Sequence, residues 1–107
     1  MFPSRLIVPV TALCTVLWAP AAMASAALAN KGGCTACHAV DKKLIGPSYR
    51  DIAQKYKGQG DALAVLTDRV RKGSKGVWGT LPMPPSDAAK ISDADLKAVV
   101  TWVLKTP

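Results

Sequence analysis

Residues 34–38, with the sequence Cys-Thr-Ala-Cys-His, constrain this chain more than any other stretch. Two thiols at this spacing can bond to the two vinyl groups of one porphyrin, and the next residue in the chain supplies an imidazole. The pattern C-x-x-C-H is the one by which haem is attached covalently to protein. His38 is the only histidine of the 107 residues, which favours an iron ligand over ordinary packing. The segment predicts one covalently bound haem c, attached at Cys34 and Cys37, with His38 on the iron.

Two other kinds of site share the C-x-x-C spacing. A thioredoxin-like redox site needs a βαβ pattern around it, and the chain shows no convincing strand alternation. A structural zinc site takes four protein ligands, and beyond the three in this segment the chain offers only Cys14. Haem attachment therefore remains the favoured interpretation.

The amino-terminal segment predicts a cleaved secretory signal peptide. Arg5 supplies a positive charge, residues 6–18 are almost wholly apolar, and residues 22–24 form a small-x-small cleavage site. The apolar run has about 13 residues against the roughly 20 that span a bilayer, so a retained anchor is the weaker alternative. We expect cleavage after Ala24, with Ala26 as a second possibility. Residues 1–24 would be removed, and residues 25–107 would form a single domain in the bacterial periplasm.

The rest of the chain favours an all-α fold of short helices. We expect helices over 26–31, ending at a Gly-Gly pair, over 49–56, and from an N-cap at Asp61 through Lys72 to a stop at Gly73. A capping box at 92–95 opens the last helix, whose apolar positions recur with helical spacing from 96 to 104. The basic residues at the end of the third helix are expected to lie on a solvated face. No regular element is expected over 73–85.

The ligand on the other side of the iron decides the function. With no second histidine, the candidates are Met83, a lysine, water or nothing. Met83 is framed by Pro82, Pro84 and Pro85, which make an extended and stiff loop that suits a weak thioether ligand. Ligation by His38 and Met83 raises the reduction potential and leaves no open position for a substrate. We therefore expect an electron carrier and not an enzyme.

Four motifs together give the chain a close resemblance to a known family. They are Cys-Thr-Ala-Cys-His at 34–38, Gly-Pro at 46–47, Gly-Ser-Lys-Gly-Val-Trp-Gly at 73–79 and Pro-Met-Pro-Pro at 82–85. The chain resembles the small bacterial monohaem class I c-type cytochromes, in the subgroup that donates electrons to cytochrome cd nitrite reductase and terminal oxidases. The resemblance implies a cytochrome c fold: four or five short helices around one haem, with the terminal helices packed together. It also implies a soluble periplasmic carrier that moves single electrons between respiratory redox partners.

The resemblance assigns roles to individual residues. Cys34 and Cys37 would form the thioethers, and His38 and Met83 would be the axial ligands. The carbonyl of Pro47 would accept the Nδ1 hydrogen of His38. A second group would contact the haem propionates: the indole N–H of Trp78 and the side chain of Arg69.

One departure from the family pattern follows Pro85. The family often has an asparagine there that hydrogen-bonds the ligand sulfur, whereas this chain has Ser86 and a slightly longer loop to the last helix. The orientation of the ligand and the potential are therefore open at this point.

The chain is basic, with a formal charge of +7 that includes Arg5. In the periplasm this charge favours acidic redox-partner proteins or an anionic membrane surface over nucleic acid. We expect Lys42, Lys43, Lys72 and Lys75 to form a rim around an exposed haem edge, on a monomer without a membrane anchor after cleavage. Two alternatives are a haem enzyme or gas sensor with a labile sixth ligand, such as a peroxidase or a nitric-oxide-binding protein, and a fixed subunit of a larger complex. The first lacks distal acid–base groups, because the chain has no second histidine and no glutamate.

Overall fold

The computed structural model of the chain describes residues 9–16 and 21–107. Within those residues the regular elements are all helical, apart from two isolated bridges. The all-α prediction is therefore confirmed. The elements are α1 (Ala21–Lys31), a 3₁₀ turn (Cys34–Ala36), α2 (Tyr49–Lys55), α3 (Ala62–Lys72) and α4 (Asp93–Leu104).

Helix α4 is the centre of the core, because α1, α2 and α3 each pack against it. Its buried face carries Leu96, Val99, Val100 and Val103, the positions that the helical spacing predicts. Ala29 of α1, Tyr49 of α2 and Ile91 complete the cluster. The contact between α1 and α4 confirms the expected pairing of the two terminal helices.

Serine hydroxyls begin two of the helices. Ser48 accepts a hydrogen bond from Asp51 N at 3.1 Å, and Ser92 accepts one from Asp95 N at 3.2 Å. Both serines have extended backbone, which holds the hydroxyl over the free N–H groups of the first turn. The capping predicted for Ser92 is confirmed.

Asp61 occupies the N-cap position of α3, as predicted, but its carboxylate does not cap the helix. Its side chain accepts no hydrogen bond from the helix. The cause is the backbone, which has φ −96° and ψ 8° at Asp61 instead of the extended values of the two serines. The carboxylate is therefore not aimed at the first turn. The expected stop at Gly73 is confirmed, with a φ of 76° that favours glycine.

Helix α1 begins five residues earlier than expected, because the alanine-rich sequence from Ala21 onward has high helix propensity. It spans the predicted cleavage point after Ala24. Much of the predicted signal peptide, residues 1–8 and 17–20, lies outside the described residues, and residues 9–16 form no regular element. The boundary at Ala24 stays a prediction. Among the described residues, no helix has the length and apolar character needed to cross a membrane.

Candidate functional site

The helices and the loops between them enclose a cavity of about 740 Å³. Its apolar walls come from α2, α3 and α4 and include Ile52, Leu66, Val70 and Val99. The seven residues singled out from the sequence all line this one cavity: Cys34, Cys37, His38, Pro47, Arg69, Trp78 and Met83. The fold therefore brings together residues that are up to 49 positions apart, from 34 to 83.

The two cysteines are brought to the cavity by a tight turn. Gly33 has a φ of 82°, and the chain then forms the 3₁₀ turn Cys34–Ala36. The amides of Cys37 and His38 both donate to the carbonyl of Cys34, at 3.2 and 2.9 Å. Both thiols are half-buried and unpaired. Burial raises the pKa of the Cys34 thiol above its usual value, with a smaller contribution from Cys37, so this thiol is neutral at neutral pH.

His38 is held in one orientation by a single strong contact. Its Nδ1 lies 2.7 Å from the carbonyl oxygen of Pro47, which is the hydrogen bond that the family resemblance implies. A carbonyl oxygen can only accept, so Nδ1 carries the hydrogen. In the neutral imidazole Nε2 is then the nitrogen with a free lone pair, which is the form that binds a metal ion.

Gly46 packs directly against the ring of His38. A Cβ atom at this position would lie 2.5 Å from Cε1 and 2.9 Å from Nδ1 of His38, which is too close for any side chain. The amide of Gly46 also donates to the carbonyl of Cys37 at 2.7 Å. The sequence analysis used Gly46 only as part of the Gly-Pro motif at 46–47, since local pattern carries no signal for a contact across the loop.

Tyr49 supports His38 from the side of the core. Its ring stacks on the imidazole at a centroid distance of 5.7 Å, and Trp102 meets it edge-on at 5.2 Å. Trp102 therefore serves in packing, against the core and the ring of Tyr49. Burial, and to a lesser degree Cys34, raises the pKa of Tyr49 to about 12. The phenol is therefore neutral across the physiological range; its role beside His38 was missed by the sequence analysis.

Met83 lies in a loop whose two ends are joined by backbone hydrogen bonds. Ser74 and Met83 exchange two of them, at 2.7 and 3.0 Å. A Cβ atom on Gly73 would lie 2.6 Å from the carbonyl oxygen of Met83 and 3.0 Å from the nitrogen of Pro85. This close approach explains the glycine at 73. Met83 itself is half-buried and lines the cavity.

The expectation that the basic end of α3 is a solvated face is wrong for two of its three residues. Only Lys72 fits it, with a side chain 74% exposed and paired with Asp68 at 3.0 Å. Arg71 is 21% exposed and bonds to the carbonyls of Ser86 and Ile91 and to the Asp93 carboxylate. These acceptors come from the long loop before α4 and from Asp93, the first residue of α4. Helical periodicity cannot anticipate such a contact.

Arg69 is the third of these residues, and it faces the cavity. Its Nη1 is buried and has no hydrogen-bond partner among the residues that the structure describes. A buried guanidinium N–H without an acceptor is costly, and an anion at the cavity would satisfy it. Trp78 also lines the cavity and is 40% exposed, with Lys55 Nζ 5.2 Å from its ring centroid. Two thiols, an oriented imidazole, a thioether, apolar walls and an unpaired cation together fit a haem with its propionates.

The four lysines proposed as a rim lie in different surroundings. Lys43 and Lys75 line the cavity, where the exposed side chains of Ile45 and Leu81 also lie. Lys42 is exposed but does not line it, and Lys72 is engaged by Asp68.

Comparison with known proteins gives consistent results. The family model described as cytochrome c matches residues 22–107. Cytochrome c2 of Rubrivivax gelatinosus is 58% identical over 82 residues, covering 77% of this chain and 96% of that protein. Cytochrome c-551 of Pseudomonas aeruginosa is 49% identical over 75 residues, covering 70% of this chain and 68% of that protein. The crystal structure of wild-type Nitrosomonas europaea cytochrome c552 matches with a TM-score of 0.71 and 46% identity, covering 77% of this chain and 99% of that one.

Proposed function

Because the chain belongs to the cytochrome c family, we propose that it is a soluble periplasmic carrier of single electrons between respiratory redox partners. Proteins of this family are electron carriers, and this one carries one covalently bound haem c. The finer assignments are the ligands of the iron, the compartment and the partners. Each is argued below from the described residues.

The proposed ligand set is His38 and Met83, with Cys34 and Cys37 as the thioether attachment points. The observation that carries it is the hydrogen bond from His38 Nδ1 to Pro47, which leaves Nε2 free on a residue that lines the same cavity as Met83. Arg69 and Trp78 are proposed to donate to the propionates. The unpaired Nη1 of Arg69 supports this role, since a carboxylate would satisfy it.

The bound haem supplies a one-electron redox centre, and the protein sets how that centre behaves. The Met83 sulfur is a soft donor that favours ferrous iron and raises the potential. The bonds between Met83 and Ser74 and the three prolines limit how far this ligand can move between oxidation states. If His38 and Met83 both bind the iron, no position on it would be open to a substrate. This arrangement supports electron transfer and not a peroxidase or a gas sensor.

We propose acidic redox proteins as partners, including a cytochrome cd nitrite reductase or a terminal oxidase. The support is the formal charge of +7, together with Lys43 and Lys75 at the cavity and the exposed apolar side chains of Ile45 and Leu81 beside them. Cationic residues around an apolar centre steer an anionic partner and allow a small, short-lived contact. The export signal predicted over 1–24 supports the periplasm as the compartment.

The test is the optical spectrum of the purified holoprotein, oxidised, reduced, and reduced under carbon monoxide. We expect a sharp low-spin reduced spectrum that carbon monoxide does not change, because Met83 fills the sixth position. Met83→Ala is the matched variant and should bind carbon monoxide at once. A wild-type spectrum that is high-spin, or that shifts with carbon monoxide as the variant does, would overturn the proposed carrier in favour of the enzyme or sensor.

A further inference from the structure

The segment that follows Met83 is held to the protein by few bonds of its own. Pro84 and Pro85 have no N–H to donate. The first fixed point is Ser86, whose amide donates to the carbonyl of Val70 at 2.8 Å. A turn follows in which Asp87 accepts from Ala89 and Lys90, both at 3.1 Å, and the chain re-enters the core at Ile91.

The side chain of Arg71 bridges the two ends of this turn, at Ser86 and Ile91. Nη1 of Arg71 donates to the carbonyl of Ile91 at 2.8 Å and to that of Ser86 at 3.3 Å. Its Nη2 contacts the carboxylate of Asp93 at 2.6 Å. A guanidinium presents its donors in a rigid planar fork, so one arginine can fix both ends of the turn 86–91. A lysine ammonium keeps the charge but not the fork.

The two carbonyl contacts outweigh the ion pair. The side chain of Asp93 is 94% exposed, and such surface pairs are weak because water and salt screen them. The carbonyl contacts are part-buried, and a charged donor strengthens them. Removal of the guanidinium would leave the carbonyls of Ser86 and Ile91 without this donor.

The stiffness of the loop carries the effect of these bonds to Met83. Pro84 and Pro85 fix their own φ angles, so the link between Met83 and Ser86 has little freedom to absorb a displacement. At the other end Met83 is tied to Ser74. Without Arg71, Ser86 keeps only its amide bond to Val70, so the loop that carries Met83 is held less firmly on this side.

We propose that Arg71 is a positioning residue for the axial ligand: by binding the carbonyls of Ser86 and Ile91, it keeps the Met83 thioether in place. This inference rests on the proposed function, because it takes Met83 as an iron ligand. The same bonds from Arg71 stabilise the loop after Met83, which is slightly longer than the family pattern.

The test measures how often Met83 leaves the iron. Imidazole added to the ferric holoprotein binds only when the sixth position is open, so its apparent affinity rises in proportion to the open fraction. We expect Arg71→Met to bind imidazole about ten-fold more tightly than the wild type, from the loss of charge-assisted hydrogen bonds. Arg71→Lys should fall between the two, and Asp93→Asn should stay close to the wild type.

A matched control separates positioning from general stability. Arg50 also donates to a main-chain oxygen, that of Pro107 at 2.9 Å, and among the described residues no hydrogen bond joins its side chain to the Met83 loop. Arg50→Met should leave imidazole binding unchanged. In parallel, two signals are followed as denaturant is added to the ferric protein. Far-UV circular dichroism reports the unfolding of the helices, and the far-red sulfur-to-iron absorption band reports the bond between Met83 and the iron. In Arg71→Met the band should be lost at a lower denaturant concentration than the helices.

Two results would overturn the inference, and they can be told apart. If the wild type has the sulfur-to-iron band and Arg71→Met binds imidazole as the wild type does, or loses band and helices together, Arg71 does not position Met83. If the wild type lacks the band, Met83 is not the ligand, and both the proposed function and this inference fail.

Discussion

The tightest constraints at the scale of single residues fall on glycines beside the two proposed iron ligands. Gly46 lies against the imidazole of His38, and Gly73 lies against the backbone of Met83 and Pro85. Gly46 is required by close approach alone, whereas Gly73 also has a positive φ. In both places the missing side chain lets a loop come near enough to fix a ligand.

We predict that Gly46→Ala lowers the free energy of unfolding by about 1–3 kcal/mol, the usual cost of overpacking. The new methyl group would displace the His38 ring or strain its bond to Pro47, since it would lie 2.5 Å from Cε1. Gly60→Ala is the control, because a Cβ atom there meets nothing within 4 Å. Denaturant unfolding of the two variants compares them; equal stabilities would show that residue 46 has room for a side chain.

At the scale of elements, the start of a helix depends on backbone conformation as well as residue type. Ser48 and Ser92 have extended backbone, and their hydroxyls reach an amide of the first turn. Asp61 is an equally favourable residue type, but its backbone turns the carboxylate away.

The contrast gives a paired prediction. Ser92→Ala should lower the free energy of unfolding by about 1 kcal/mol, because it removes a side-chain cap. Asp61→Ala should change it by less than about 0.5 kcal/mol, as expected for a surface substitution that removes no such bond. Urea unfolding of each ferric holoprotein gives both values. A larger loss for Asp61→Ala than for Ser92→Ala would contradict the account of the caps.

The helices were predictable because their signals are local. Apolar spacing located the buried face of α4, and Gly73 marked the end of α3. The spacing of Cys34, Cys37 and His38 indicated the cofactor, since the macrocycle itself dictates that spacing. The contacts of Gly46, Tyr49 and Arg71 were not predictable in this way, because each depends on a partner brought near only by the folded chain.

At the scale of the whole molecule, the cavity dominates both the packing and the charge. Leu96 is the most deeply buried of the large side chains among the described residues, and we expect the haem to supply much of the core around the cavity. Lys43 and Lys75 lie at the cavity, in a chain with a formal charge of +7. The redox centre should therefore attract anions and repel cations.

We predict opposite salt effects for two small oxidants of the ferrous protein. Oxidation by anionic hexacyanoferrate(III) should slow as ionic strength rises, as the Debye length falls from about 30 Å at 0.01 M to about 8 Å at 0.15 M. Oxidation by cationic tris(phenanthroline)cobalt(III) should accelerate. Lys43→Gln with Lys75→Gln should flatten the first dependence, whereas Lys97→Gln on the surface of α4 should not. Stopped-flow traces that show no salt effect with either oxidant would contradict electrostatic steering.

The central claim is that His38 and Met83 close both sides of the iron, and proton NMR of the ferrous holoprotein tests it most directly. Met83 is the only methionine in residues 25–107, so the expected signal has one source. A methyl group held over the haem by an iron–sulfur bond is shifted far upfield by the ring current, and we expect one such three-proton resonance, absent in Met83→Leu. A ferrous spectrum without an upfield methyl resonance, or one that keeps it in Met83→Leu, would contradict the account.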